Sequence, residues 1–211
     1  GRISTRCSTP ADFSSPHDKH RLVEIRSRCD AVMVSAKTLA ADNMSMGLPD
    51  ERLREERVAR GQAPYPLRVI LTNSGRIDPS LRVFKKQFSP IVIFSTTQMP
   101  STVQRALAPL AKLHLHGAPH VDLSQMLSTL RRDFGVRRLV SEGGGQVLRS
   151  LLQADLLDEI HVTLCPLVFG GEKAPTLTGV AGDYLPHGVS LSLKAIERTG
   201  AECLLRYQID R

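Results

Sequence analysis

Val140-Ser141-Glu142-Gly143-Gly144-Gly145 decides how this chain is read: a short apolar strand signal runs straight into three glycines and then into Gln146-Val147-Leu148-Arg149-Ser150-Leu151-Leu152, whose apolar residues repeat at helical spacing. Strand, glycine turn and helix together make an anion site. Glycines let the backbone approach a phosphate, and the unpaired N–H groups and positive dipole end of the helix stabilise its charge. A tight turn without a ligand is the alternative that glycines alone leave open. The spacing is not G-x-G-x-x-G and it falls late in the chain, which argues against a Rossmann dehydrogenase. A second pair, Phe169-Gly170-Gly171, follows another strand signal at residues 160–167, so two strand ends carry glycine-opened backbone.

Working outward, the chain alternates strand and helix signals. Ser15-Pro16 followed by Asp18 starts a helix, with Leu22, Ile25 and Cys29 on one face. Asp30-Ala31-Val32-Met33-Val34-Ser35 is suited to a buried strand and delivers Thr38 and Asp42 beyond its carboxyl end. Glu51-Arg52-Leu53-Arg54-Glu55-Glu56-Arg57 has opposite charges three and four residues apart, as an exposed helical insert does. Further strands are expected at residues 67–72, 91–94, 112–116, 138–141 and 159–165. Helices are expected from Ser101 and after the cap Asp122. Residues 189–198 and 202–209 alternate around Thr199-Gly200 as an antiparallel hairpin. The expected class is α/β, a single domain over residues 1–211 with a mostly parallel central sheet closed by that C-terminal hairpin.

Composition narrows the functional classes. The chain has 211 residues, 41% hydrophobic and 23% charged, the makeup of an ordinary globular protein without a membrane span. Its net charge of +7 suits either nucleic acid or small anionic ligands. The basic residues, Arg68, Arg76, Arg82, Lys85 and Lys86 among them, are dispersed, and with no Trp and three Tyr there is no aromatic-interleaved run, so nucleic acid is not the expected partner. Cys7, Cys29, Cys165 and Cys203 form no C-x-x-C, and reduced thiols in the cytoplasm are expected. His114 and His116 share a strand face without a third ligand nearby, so no metal is expected. No His-x-Glu or Pro-Cys-x-x-Cys is present, which excludes a zinc deaminase of that pattern within these residues.

Several pieces occur in a specific order: Ala31-Val32-Met33-Val34-Ser35-Ala36-Lys37-Thr38, Ala41-Asp42, Arg68-Val69-Ile70-Leu71 through Ser74, Glu142-Gly143-Gly144-Gly145, Leu156-Leu157-Asp158-Glu159 and Pro166-Leu167-Val168-Phe169-Gly170-Gly171. Across nearly the whole chain they resemble the riboflavin-biosynthesis pyrimidine reductase family, the reductase half of the bifunctional deaminase-reductase and its stand-alone relatives. The resemblance implies a dihydrofolate-reductase-like three-layer fold, NADPH as cofactor, a phosphorylated ribosylaminopyrimidine as substrate, and a homodimer. It also implies that Thr38, Asp42, Ser74 and the run from Gly143 through Gly144, Gly145, Gln146, Val147, Leu148 and Arg149 to Ser150 bind NADPH, while Arg26 and Glu142 contact the substrate. The chemistry of the residues agrees: the glycine loop suits a pyrophosphate, Ser74 near Arg76 suits the adenosine 2′-phosphate, and Arg26 suits a phosphate or a pyrimidine carbonyl. Glu142 is the candidate catalytic residue, placed to favour a cationic iminium electrostatically.

The chain departs from the family pattern at three places. Ser35 stands where the family has Gly, Asp42-Asn43-Met44 stands for Asp-Asp-Pro, and Ser45-Met46-Gly47-Leu48-Pro49 offers no counterpart to the arginine of Leu-Thr-x-Arg. Gly1-Arg2-Ile3 resembles the end of the family's Ser-x-Asp-Gly-Lys-Ile opening, so an N-terminal strand is expected to precede it. A different reductase of the same fold, acting on a pterin or another small molecule, stays open as a reading. So does a non-catalytic nucleotide- or nucleic-acid-binding protein, and the sequence does not separate a 2-amino from a 2-oxo pyrimidine.

Overall fold

The computed structural model describes residues 2–3, 14–168, 170, 174–179 and 188–211, and its backbone divides into two compact units, residues 21–144 and residues 1–20 with 145–211. The helix α1 (Pro16–Arg28) starts where the sequence places it, with the Ser15 hydroxyl oxygen accepting the Asp18 N–H at 3.1 Å.

The larger unit is built on β1 (Ala31–Ser35), β2 (Leu67–Leu71), β3 (Ile91–Thr96), β4 (Lys112–His116) and β5 (Leu139–Ser141), paired in the order β4-β3-β2-β1-β5. Every pairing is parallel. Parallel strands are covered on both faces, and the inner strands β1 to β3 accordingly read as continuous apolar runs rather than alternating ones. Val32, Val34, Ile70, Ile91 and Ile93 form one cluster with Leu39, Val83, Phe84 and Leu107 of α2 (Ala36–Asp42), α4 (Arg82–Lys85) and α5 (Ser101–Leu107). Phe94 points to the other face, where His114 stacks on it at 5.0 Å and Phe134 of α6 (Leu123–Phe134) meets His114 edge-on at 5.9 Å.

This order reverses at β1. The chain leaves β1 toward β2, β3 and β4, then returns through α6 to place β5 on the other side of β1. A reversal of strand order in a parallel sheet is where ligands bind at the carboxyl edge. Asp30 fixes this pair of strands. Its Oδ2 accepts the N–H groups of Arg137 and Arg138 at 2.8 and 2.9 Å, and its Oδ1 accepts the Gln62 amide at 2.8 Å.

The insert α3 (Glu51–Ala59) is a helix capped by Asp50, and Arg52–Glu56 is the exposed i,i+4 pair its charges imply. Arg57, from the same charged run, is 1% exposed. Its guanidinium donates to the carbonyls of Ala63, Ser27 and Cys29 at 2.8, 3.0 and 2.5 Å.

In the second unit α7 (Gly145–Gln153) is followed by β6 (Glu159–Leu164), β7 (Leu191–Thr199) and β8 (Glu202–Ile209), which form an antiparallel sheet in the order β6-β8-β7. The expected hairpin is present, and it pairs with β6 in a sheet of its own while the central sheet, among the described residues, is wholly parallel. Strands β6 and β8 share six registered pairs, from Glu159 with Gln208 to Leu164 with Cys203. No helix among the described residues is long and apolar enough to cross a membrane.

Candidate active site at the carboxyl edge of the parallel sheet

Ser35 ends β1 and caps α2: its Oγ accepts the Thr38 N–H at 3.1 Å and lies 2.9 Å from the Thr38 hydroxyl. A glycine there could not make this cap, so the departure from the family pattern at Ser35 gains a hydrogen bond that holds Thr38. Just past β5 the Glu142 N–H continues the ladder by donating to the Met33 carbonyl at 2.8 Å. Gly143 follows with φ +132°, a conformation L side chains rarely adopt, and a Cβ on it would lie 3.1 Å from the Thr38 methyl. Thr38 and Gly143 are therefore immediate neighbours. Ser74 lies in the turn after β2, whose last residue Leu71 is in register with Ser35, so it belongs to the same edge; its Oγ accepts the Arg76 N–H at 3.3 Å.

Arg26 and Glu142, 116 positions apart, come together. Nε donates to Oε1 at 2.5 Å and Nη2 to Oε2 at 2.6 Å, while Nη1 reaches the Gly47 carbonyl at 3.1 Å. Their side chains are 12% and 5% exposed. Asp42 sits at the far end of α2 from Ser35, where it shares a cleft of about 640 Å³ with Arg26, Met46, Gly47, Tyr65, Arg82, Lys86 and Phe88. Sequence reasoning did not single out this cleft. Arg82 opens, and Lys86 follows, a four-residue helix too short to leave a periodic signal in the sequence.

In the second unit, α7 begins at Gly145, and a Cβ there would lie 2.4 Å from the Gly179 nitrogen, so only glycine allows this approach. Among the described residues the backbone N–H groups of Gly145, Gln146 and Val147 have no acceptor. These are the orphan donors an anion takes at a helix start, and they fit a cofactor phosphate. From Leu148 onward the N–H groups belong to the helix ladder. The Arg149 guanidinium is engaged with the Thr178 carbonyl at 3.0 and 2.8 Å, and Ser150 is exposed on α7.

His114 and His116 both lie against Phe94, at 5.0 and 5.8 Å, and the His116 ring also meets Gln125. Among the described residues no group of three or more His, Cys, Asp or Glu side chains could hold a metal ion. Burial pushes the Cys29 thiol up to about 11, so it stays protonated at neutral pH. Cys7, and Phe169 and Gly171 of the second glycine pair, lie outside the described residues.

Comparison with known proteins places this geometry. Residues 1–205 match the family described as the RibD C-terminal domain. A 2,5-diamino-6-ribosylamino-4(3H)-pyrimidinone 5′-phosphate reductase of Methanothermobacter thermautotrophicus is 30% identical over 210 residues, covering 99% of this chain and 93% of that protein. The protein of the same name from Archaeoglobus fulgidus is 32% identical over 177 residues, covering 84% and 80%. The crystal structure of a pyrimidine reductase-like protein from Corynebacterium diphtheriae superposes with a TM-score of 0.85 at 18% identity, over 100% of this chain and 88% of that one, which establishes the shared fold.

Proposed function

Because this chain belongs to the RibD C-terminal domain family, we propose that it reduces the ribose of a 5-phosphoribosylaminopyrimidine with NADPH, giving the ribitylamino product of riboflavin biosynthesis. The substrate is 2,5-diamino-6-ribosylamino-4(3H)-pyrimidinone 5′-phosphate, the compound in the names of both archaeal relatives. Residues 1–211 act as a single reductase domain in a cytoplasmic homodimer.

The observation that carries this reading is the carboxyl edge between β1 and β5, where Thr38 meets Gly143 and the next residue back, Glu142, is tied to Arg26 beside an open cleft. When bound, NADPH supplies a hydride for the first carbon of the ring-opened sugar. The N–H groups of Gly145, Gln146 and Val147 hold cofactor phosphate, and Ser74 with Arg76 holds the 2′-phosphate. Thr38 fixes the cofactor against the Gly143 backbone. Arg26 and Glu142 orient the substrate. Each carboxylate oxygen keeps a lone pair beyond the one given to Arg26, and the guanidinium keeps N–H donors beyond the three it uses, so both can bind substrate without parting. Arg26 offsets the charge of Glu142, which leaves the carboxylate a directed acceptor beside the developing iminium.

The test is loss of NADPH absorbance with purified protein and each of two substrates, the diaminopyrimidinone and 5-amino-6-(5-phosphoribosylamino)uracil. Turnover of the first supports the proposal. Turnover of the uracil alone keeps the reductase and changes the substrate, and NADPH binding without turnover of either moves the protein to another reaction on the same fold.

A further inference from the structure

The cleft beside Arg26 holds more cationic charge than its structural contacts use. Arg26 is matched by Glu142. Arg82 and Lys86 line the same cleft as the Asp42 carboxylate, which is itself engaged; both cations are exposed, and neither side chain has a hydrogen bond or ion pair among the described residues. Arg82 opens α4 and Lys86 is the extended residue that follows its end, so both extend from one short segment.

That segment is held in place. The backbone N–H of Arg82 donates to the Asn43 side-chain oxygen at 2.9 Å, which ties the start of α4 to the opposite wall of the cleft. Val83 and Phe84, between the two cations, are buried in the core. Below them Phe88 lies 4.6 Å from Tyr65, centroid to centroid, with the Arg68 guanidinium 4.4 Å over Phe88 and that of Arg54 5.5 Å over Tyr65. This ladder of rings and guanidinium groups occupies the ring faces, so the aromatics form a rigid wall rather than a stacking platform for a base. The Phe88 edge also abuts Gly47, where a Cβ would come within 3.1 Å of it. A cleft with covered aromatic faces and two unmatched cations on an anchored turn selects a compact anion, not a planar ring.

We propose that Arg82 and Lys86 anchor the 5′-phosphate of the substrate in this cleft and set the preference for a phosphorylated over a dephosphorylated sugar. The proposal rests on the function given above. It divides the work of recognition: the ion pair of Arg26 and Glu142 orients the reacting end, and the cations of the α4 segment hold the phosphate.

The test uses ribose 5-phosphate as a probe, with binding to the whole protein measured calorimetrically for the native sequence and for the double variant Arg82→Ala, Lys86→Ala. Losing two charge-assisted contacts is expected to weaken ribose 5-phosphate roughly 100-fold or more, with NADPH affinity held. The exchange variant Arg82→Lys, Lys86→Arg keeps both charges and is expected to restore most of the affinity, which a merely structural role would not do. In the reductase assay the ratio of kcat/KM for phosphorylated over dephosphorylated substrate is expected to fall by a similar factor, mainly through KM. Equal ribose 5-phosphate affinity in native protein and double variant, or no saturable binding to the native protein, overturns the proposal. The two readings fail separately. Ribose 5-phosphate bound through these residues with neither pyrimidine reduced leaves the anchor and removes the reaction, whereas pyrimidine reduction with KM unmoved by the double variant leaves the reaction and removes the anchor.

Discussion

Arg26 and Glu142 face each other through two parallel hydrogen bonds, 2.5 and 2.6 Å long, joining α1 to the residue just past β5. Replacing Glu142 by Gln keeps the shape and removes the charge. Turnover is then expected to fall more than NADPH affinity, measured by steady-state rates against cofactor titration, and equal losses in the two would count against a role at the reacting carbon. Arg26→Ala strands a carboxylate that is 5% exposed. That is expected to cost roughly 3–5 kcal/mol of stability in urea unfolding, because an unpaired buried charge is worse than no charge at all.

Gly145→Ala tests the helix start. The added Cβ would lie 2.4 Å from the Gly179 nitrogen and 2.9 Å from its Cα, both backbone atoms that cannot swing aside. The backbone around the three orphan N–H groups must shift, and NADPH binding followed by fluorescence is expected to weaken at least about 10-fold, the loss of one charge-assisted contact. Unaltered NADPH affinity would remove the α7 start from the cofactor site.

Asp30 gives the fold an acid limit. Burial acts to raise its carboxyl, yet the N–H groups of Arg138 and Arg137 and the Gln62 amide outweigh it and hold the group below its ordinary value of 3.8. A depressed folded pKa means that the unfolded chain binds more protons, so this stability is present above about pH 4 and is lost as the pH falls through the folded value. Asp30→Asn is expected to lower stability at neutral pH and to flatten its decline below that pH. An unchanged acid limb in unfolding titrations would show that Asp30 does not pin β1 to β5.

Arg57→Lys is expected to destabilise the larger unit by roughly 2 kcal/mol, since an ammonium cannot reproduce the fork that reaches three backbone carbonyls; the Ser27 carbonyl keeps the Arg60 guanidinium, and the Cys29 and Ala63 carbonyls left unsatisfied cost about 1 kcal/mol each. Thermal unfolding measures it. A change within about 0.5 kcal/mol would mean that the carbonyls of Cys29 and Ala63 find other donors.

Much of the fold is legible along the chain because its signals are local. The buried strands 31–35, 67–71 and 91–96 announce themselves as apolar runs, and the caps Ser15, Asp50 and Asp122 sit at the helix starts their side chains favour. The sheet assignment of the hairpin is not local: its alternation marks two strands, but the third strand they join, β6, lies far back along the chain, with Leu164 registered on Cys203. The same limit hides Arg57, whose spacing matches a solvated helix face and whose partners are carbonyls outside that helix. For the site, the glycine loop, Thr38, Ser74, Arg26 and Glu142 come from pattern and family resemblance. The cleft of Arg82 and Lys86 does not, because a four-residue helix leaves almost no periodicity to detect.

The sequence by itself determined that this protein is α/β, that strand ends carry a glycine-opened turn before a helix, and to which family it belongs, since each of these rests on neighbouring residues or on their order. Only the tertiary structure decided that Arg26 spends its charge on Glu142, that Thr38 meets Gly143 across the reversal of strand order, and that Arg82 and Lys86 stand in the cleft without an ion pair among the described residues. Those relations join residues many positions apart, and a charge is free or spent only through what lies within a few ångströms of it, which the order of residues does not record.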